Sequence, residues 1–203
     1  MEMQVTLCEV IVAAINQLPR KNPASEEADY KGQATKDRFS DDLNIILGGF
    51  MPIAVGQTAP DFTLKDQSQK EIKLSDYAGK RNVVLIFYPL DFSPVCTNEH
   101  ACFVNDLKQY DSLDAQVLGL SVDSAWSHKA FAEKMGITYP LLADFHPKGA
   151  VADRYGMYLA DKGITGRAIA IIDKAGKIAW FKNYDIPVVP DMKEVGQALA
   201  AVK

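Results

Sequence analysis

Val83-Val84-Leu85-Ile86-Phe87-Tyr88-Pro89-Leu90-Asp91-Phe92-Ser93-Pro94-Val95-Cys96-Thr97-Asn98-Glu99 constrains how the rest of the chain must be arranged. Val83 to Tyr88 is a continuous apolar run, the mark of a central strand buried on both faces. Ser93 suits a helix N-cap and Pro94 the first helical position, so a helix is expected to follow them. Cys96 then falls in the first turn, where unpaired backbone N–H groups and the helix dipole favour an anion. Sites in open α/β sheets commonly lie where a strand ends and a helix begins.

Outward from this run, strands alternate with helices. Upstream, Asp61 to Leu64 and Glu71 to Leu74 read as short strands around the turn Asp66-Gln67-Ser68. Downstream come a strand over Gln116 to Val122, a helix from Ser124 to Gly136, a short strand Leu141 to Ala143 and a short helix Lys148 to Tyr155. Arg167 to Ile172 and Lys177 to Phe181 form a hairpin around Asp173-Lys174-Ala175-Gly176. Asp191 caps a last helix ending near Val202. The order predicts an α/β fold, a central mixed sheet flanked by helices. Trp126 and Phe131 are expected to pack the second helix, and Tyr88 and Phe92 to pack in the core, line the site or meet another subunit.

Residues 1–52 differ from the remainder. An apolar, helix-like stretch from Val5 to Leu18 precedes a polar run from Pro19 to Asp42 that has little to bury. Two readings stay open: an extension packing on the surface or a partner, partly helical or flexible, or a second translation start at Met51. The main domain is expected over 53–203.

Composition narrows the function classes. With 203 residues, 48% hydrophobic, the chain fits one globular domain with extra sequence at one end. A formal net charge of −4 argues against an electrostatic nucleic-acid footprint. No stretch approaches 18 consecutive apolar residues, which argues against a membrane span. The start lacks a basic leading segment and carries Glu2 and Glu9, so a secretory signal is not expected and the cytoplasm is. Cys8, Cys96 and Cys102 cannot form a fully paired disulfide framework and lack the paired spacing of a structural zinc site. A reducing compartment with at least one reactive thiol is the simplest reading. His100, His128 and His146 lack metal-ligand spacing and read as surface or satisfied histidines; the acidic residues read mostly as solvated faces.

The chemistry follows from the thiol. A free cysteine titrates near ~8.5, so about 3% is thiolate at neutral pH. Lowering such a value to ~6 raises the reactive fraction about thirtyfold at most. Thiolate population alone is therefore a modest effect, and a fast thiol reaction also needs donors aimed at the atoms on which negative charge grows in the transition state.

Pro89-x-x-x-Ser93-x-x-Cys96 resembles the active-site signature of the peroxiredoxins, the alkyl hydroperoxide reductase and thiol-specific antioxidant family. The resemblance extends to Gly56-Gln57-Thr58-Ala59-Pro60-Asp61-Phe62, Ser121-Val122-Asp123, Tyr139-Pro140-Leu141-Leu142-Ala143-Asp144, Arg167 and Ile171-Ile172-Asp173. It covers roughly residues 53–203 and is nearest to alkyl hydroperoxide reductase E-like, one-cysteine members. It implies a thioredoxin-like fold and reduction of hydrogen peroxide and organic hydroperoxides. Cys96 would be the nucleophile, becoming a sulfenic acid. Ser93 would orient the peroxide, Pro89 would shield the thiolate, and Arg167 would stabilise thiolate and transition state, with Glu99 holding its guanidinium. No metal or organic cofactor is implied. A homodimer is implied, as is a thiol reductant: thioredoxin, a mycoredoxin-like glutaredoxin or a small thiol.

Plainer readings compete. A lone cysteine is more often inert and buried; Arg167 also suits a structural ion pair, and Glu99 a favoured first-turn acid. For resolution of the oxidised thiol, Cys102 lies six residues past Cys96, about 9 Å along an intact helix. A disulfide needs Cα atoms within roughly 7 Å, so a Cys96–Cys102 bond requires unwinding and ranks behind an external thiol. Two other functions share the pattern. A thioredoxin-like exchanger needs a C-x-x-C pair, but Ser93 stands where the first cysteine would be. A non-enzymatic peroxide sensor would use the same Cys96 chemistry.

Overall fold

The computed structural model describes residues 53–202. The readings made of residues 1–52, the Met51 start and Cys8 included, lie outside the described residues.

The apolar run forms β3 (Asn82–Phe87), buried along its whole length. It lies between two neighbours. β4 (Ala115–Ser121) pairs with it in parallel, and β8 (Arg167–Ile172) pairs antiparallel. β5 (Leu141–Ala143) extends the sheet beyond β4 in parallel. The hairpin of β1 (Thr63–Lys65) and β2 (Glu71–Lys73) completes that edge, and β9 (Ile178–Tyr184) completes the other. The order is β2-β1-β5-β4-β3-β8-β9, a mixed sheet as expected from the alternation.

Side chains alternate across β3, so each face of the sheet builds its own core. Val83, Leu85 and Phe87 join Leu118, Leu120, Leu142, Ala168, Ala170 and Ile172 in one cluster, with Phe62, Val151, Ala152 and Tyr155 above them. The opposite face is covered by α1 (Pro94–Ser112), α2 (Ala125–Met135) and α4 (Met192–Ala200), which pack on β4, β5 and β8 respectively. Each fully buried aliphatic side chain contributes about 1.5–3 kcal/mol through removal of apolar area from water. Truncating Leu85 to Ala, at 0% exposure, would cost about 2–5 kcal/mol because the lost methyl groups leave a cavity.

Several expectations shift for local physical reasons. Leu74 starts a 3-10 turn (Leu74–Tyr77) instead of ending β2. The short helix is α3 (Ala150–Arg154), not Lys148 to Tyr155. Gly149 ends the preceding turn at φ +71, and a Cβ there would lie 2.2 Å from the Tyr158 ring, so only glycine fits. Asp144 takes over the cap, its carboxylate accepting from the N–H groups of Val151 and Ala152. A two-residue pair, β6 (Tyr158–Leu159) with β7 (Ile164–Thr165), has too little sequence to show a period. Trp126 does not pack α2. The inward face of that helix is Ala125, His128, Phe131 and Ala132, and Trp126 stands about 100° round from Ala125, 71% exposed.

Two features of this architecture place a site. The antiparallel register Phe87↔Ala168 sets Arg167, one residue earlier, beside the end of β3. α1 starts from that same end.

Candidate thiol active site

β3 leads through Tyr88 and the buried Pro89 into a short loop, and Ser93 begins α1 with extended backbone angles. Pro94 occupies the first turn, as its fixed φ and missing N–H suit. The Ser93 carbonyl accepts from Thr97 N at 2.9 Å, but its side chain makes no capping bond, which corrects the expectation that it would cap. The Ser93 side chain is half-buried.

Cys96 is a free thiol, 0% exposed. Arg167, itself 1% exposed, donates from Nη2 to the Cys96 sulfur at 3.3 Å. Its Nη1 donates to Glu99 Oε2 and its Nε to the Ile186 carbonyl at 3.1 Å. Three separate elements thus fix the planar guanidinium: β8 supplies it, α1 pairs it and the segment after β9 holds its rear. Sequence alone offers no signal for the Ile186 contact, which depends on the strand register. Cys102 is buried further along the same unbroken α1.

Glu99 is wholly buried, and Oε1 has no partner among the described residues. Burial pushes its carboxyl up to about 8, an effect that the Arg167 charge and hydrogen bond offset only in part. Burial thus favours the neutral carboxyl, and to that extent leaves the positive charge of Arg167 to the sulfur.

Two histidines expected on the surface or satisfied are instead buried and half satisfied, and His146 alone is exposed. His100 Nδ1 lies 2.7 Å from the Tyr139 hydroxyl, and burial holds the ring down to about 3, so it is neutral. His128 Nδ1 lies 3.0 Å from the buried Asp91 carboxylate. Both Nε2 atoms lack partners among the described residues. Most of the described acids are exposed or partly exposed, as read from the sequence, and Asp66, Asp91, Glu99 and Asp144 are the buried exceptions. Tyr88 is in the core, whereas Phe92 is 47% exposed with Leu90 beside it at 38%. Among the described residues no group of three or more His, Cys, Asp or Glu side chains is placed to hold a metal ion. No helix among them is long and apolar enough to cross a membrane.

Cys96, Ser93, Pro89, Arg167 and Glu99 therefore come from one strand end, one helix start and the neighbouring strand. The arrangement holds a buried sulfur beside one cation at a helix N-terminus, a setting of the kind that can support a thiol nucleophile.

The family model described as AhpC/TSA family matches residues 55–181. The chain is 38% identical over 148 residues to "Alkyl hydroperoxide reductase E" of Mycobacterium bovis, covering 73% of this chain and 97% of that protein. It is 41% identical over 159 residues to "2-Cys peroxiredoxin BAS1, chloroplastic" of Spinacia oleracea, covering 73% and 59%. Among solved structures it is similar to peroxidoxin BcpB from Mycobacterium tuberculosis, with a TM-score of 0.66 at 28% identity, covering 73% of this chain and 97% of that one. The reduced 2-Cys peroxiredoxin of Plasmodium vivax gives a TM-score of 0.68 at 27% identity, covering 74% and 82%.

Proposed function

The chain belongs to the AhpC/TSA family and is a peroxiredoxin, a thiol-dependent peroxidase of thioredoxin-like fold, and from that premise we propose that Cys96 is its peroxidatic nucleophile and passes through a sulfenic acid. The observation that carries this is the 3.3 Å donation from Arg167 to the buried Cys96 sulfur at the start of α1.

The thiolate attacks the terminal oxygen of a hydroperoxide. An S–O bond forms as the O–O bond breaks, sulfur loses two electrons, and the departing alkoxide or hydroxide takes up a proton. Arg167 stabilises both the thiolate and the charge growing on the oxygens, at a site shielded from water by the buried Pro89. The Ser93 hydroxyl, uncommitted to capping, orients the peroxide. Glu99 positions the guanidinium.

Hydrogen peroxide and organic hydroperoxides are the substrates. A thiol of a partner, thioredoxin, a mycoredoxin-like glutaredoxin or a small thiol, attacks the sulfenic sulfur, releasing water and leaving a mixed disulfide that a second thiol reduces. An external resolver is favoured because α1 runs unbroken through Cys96 and Cys102 and Cys96 is free. The exposed Leu90 and Phe92 beside the site supply apolar surface for a homodimer contact. The proposed location is the cytoplasm, where such reductants keep thiols reduced.

Intact mass after one equivalent of peroxide, with and without thioredoxin, tests the scheme. Gain of one oxygen, reversed by the reductant, is expected. Loss of two hydrogens would replace it with an internal disulfide. Cys96→Ser should abolish peroxide consumption, while Cys102→Ser should keep the first oxidation step; normal turnover by the first variant would sink the assignment.

A further inference from the structure

Asp91 stands between Pro89 and Ser93, yet its carboxylate is spent on other partners. Oδ1 accepts from the Tyr88 hydroxyl at 2.9 Å, and Oδ2 accepts from Ser127 Oγ at 2.8 Å. His128 Nδ1 lies 3.0 Å from Oδ2 and 3.2 Å from Oδ1. The Asp91 backbone N–H donates to Asp123 Oδ2 at 2.9 Å, and Ser121 Oγ donates to that same oxygen at 2.7 Å. Burial by itself raises the Asp91 carboxyl, but hydrogen bonds from His128, Ser127 and Tyr88 outweigh it and hold the group below its ordinary value. An ionised carboxylate only accepts, so all three neighbours must donate and the imidazole hydrogen sits on Nδ1.

The next residue shows why such a tether is needed. Phe92 has φ +59, in the left-handed region that a bulky residue seldom adopts, and it lies between Asp91 and the start of α1. Conformations of this kind persist where the surroundings over-determine them. Its ring rests on Phe131, at 5.1 Å between centroids, so α2 supports the loop twice: through Phe131 and through Ser127 with His128.

We propose that Asp91 and His128 are positioning residues for the thiol site: the His128 imidazole N–H fixes the Asp91 carboxylate, and through it α2 sets where Pro89 and Ser93 stand around Cys96. Neither residue has a hydrogen bond to the sulfur. The inference deepens the reading of this site as peroxide-reducing and rests on it.

A loosened loop would affect two reactions of Cys96 differently. Reduction of peroxide needs Ser93 and Pro89 in place, whereas alkylation by iodoacetamide needs the thiolate beside Arg167 and a path to it, but no hydrogen bond from Ser93. His128→Leu is expected to slow oxidation by hydrogen peroxide about tenfold, the scale of one lost hydrogen bond, while changing the alkylation rate by less than about twofold. His128→Asn, whose amide N–H takes nearly the place of Nδ1–H, should recover the peroxide rate to within about threefold of wild type. An unchanged peroxide rate in His128→Leu, an equal fall in both reactions, or no recovery in His128→Asn overturns the proposal. Should His128→Leu fail to fold by circular dichroism, Ser127→Ala removes one donor and should show the same split, about threefold; no split there overturns it equally. A wild-type protein inert to peroxide but readily alkylated overturns the peroxidase reading and this inference with it, a result distinct from active wild type with indifferent variants.

Discussion

α1 and α2 both begin at a serine with extended backbone, Ser93 and Ser124, and the two serines do different things. Ser124 Oγ accepts from Ser127 N at 3.2 Å, and the helix closes at Gly136 in the left-handed conformation. That is a helix end built for stability, with its orphan N–H group satisfied by a side chain. Ser93 makes no such bond, and the first turn of its helix carries instead a buried thiol that faces a buried cation delivered by β8. The same residue type at the same position thus caps one helix and leaves its hydroxyl uncommitted on the other, where the proposed function gives it to the peroxide.

The sharpest way to break this contrast is at Arg167. Replacing it by Met removes the cation beside the sulfur and leaves Glu99 without its partner. The rate with hydrogen peroxide should fall about 10²–10³-fold, the usual cost of one lost transition-state donor. Stopped-flow oxidation at fixed pH measures it, and a loss of less than about fivefold would mean that the helix start alone sustains the chemistry. Next comes Ser93→Ala. Because this hydroxyl makes no capping bond, the usual ~1 kcal/mol penalty for deleting a cap should be absent, and the urea midpoint should stay near wild type. The peroxide rate should nevertheless drop about tenfold through loss of one hydrogen bond to the reacting oxygen. A stability loss with an unchanged rate would make Ser93 an ordinary cap.

How far these roles were legible depends on where the partner lies in the chain. The strand–helix junction and the position of Cys96 in the first turn are local, and the apolar run, Ser93 and Pro94 display them directly. Arg167 was reached by resemblance; the register of β8 against β3 is what physically brings it to the sulfur. Asp91 lies in the same local stretch, but its donors are on α2 and a lone acid carries no sign of them. For the same reason the sequence gives His128 no more than a surface or satisfied role. A histidine at helical spacing from Ala125 and Ala132 signals a buried face, and burial demands a hydrogen-bond partner. That combination was the available clue.

The two helix starts also differ in their titrating acids, which gives a third test. Burial raises the Glu99 carboxyl to about 8, so the folded protein holds a proton there that the unfolded chain releases near its ordinary value. Between about pH 4.5 and 8 the native state therefore binds more protons than the unfolded one, and this group's contribution to stability falls as pH rises. Wild type minus Glu99→Gln, taken from denaturant midpoints across that range, should slope downward. In the same window ionisation of Glu99 progressively cancels the charge that Arg167 offers the sulfur. Above pH 8 the wild-type rate per thiolate should decline by a few fold, on the order expected for a partly compensated cation, while that of Glu99→Gln stays level. Parallel profiles for the two proteins would place the titration elsewhere.

The smallest effect belongs to a cap remote from the sulfur. Asp191 caps α4, its carboxylate accepting from Lys193 N at 2.9 Å, and α4 packs on α1 and β8. Asp191→Ala should cost about 1 kcal/mol of unfolding free energy, as a capping bond does, and leave the peroxide rate within about twofold. It is the reciprocal of Ser93→Ala: stability without chemistry against chemistry without stability. If Asp191→Ala slowed the reaction as much as Ser93→Ala does, loosening any helix against the sheet would be enough to disturb Cys96. The free hydroxyl at Ser93 would then lose its special standing.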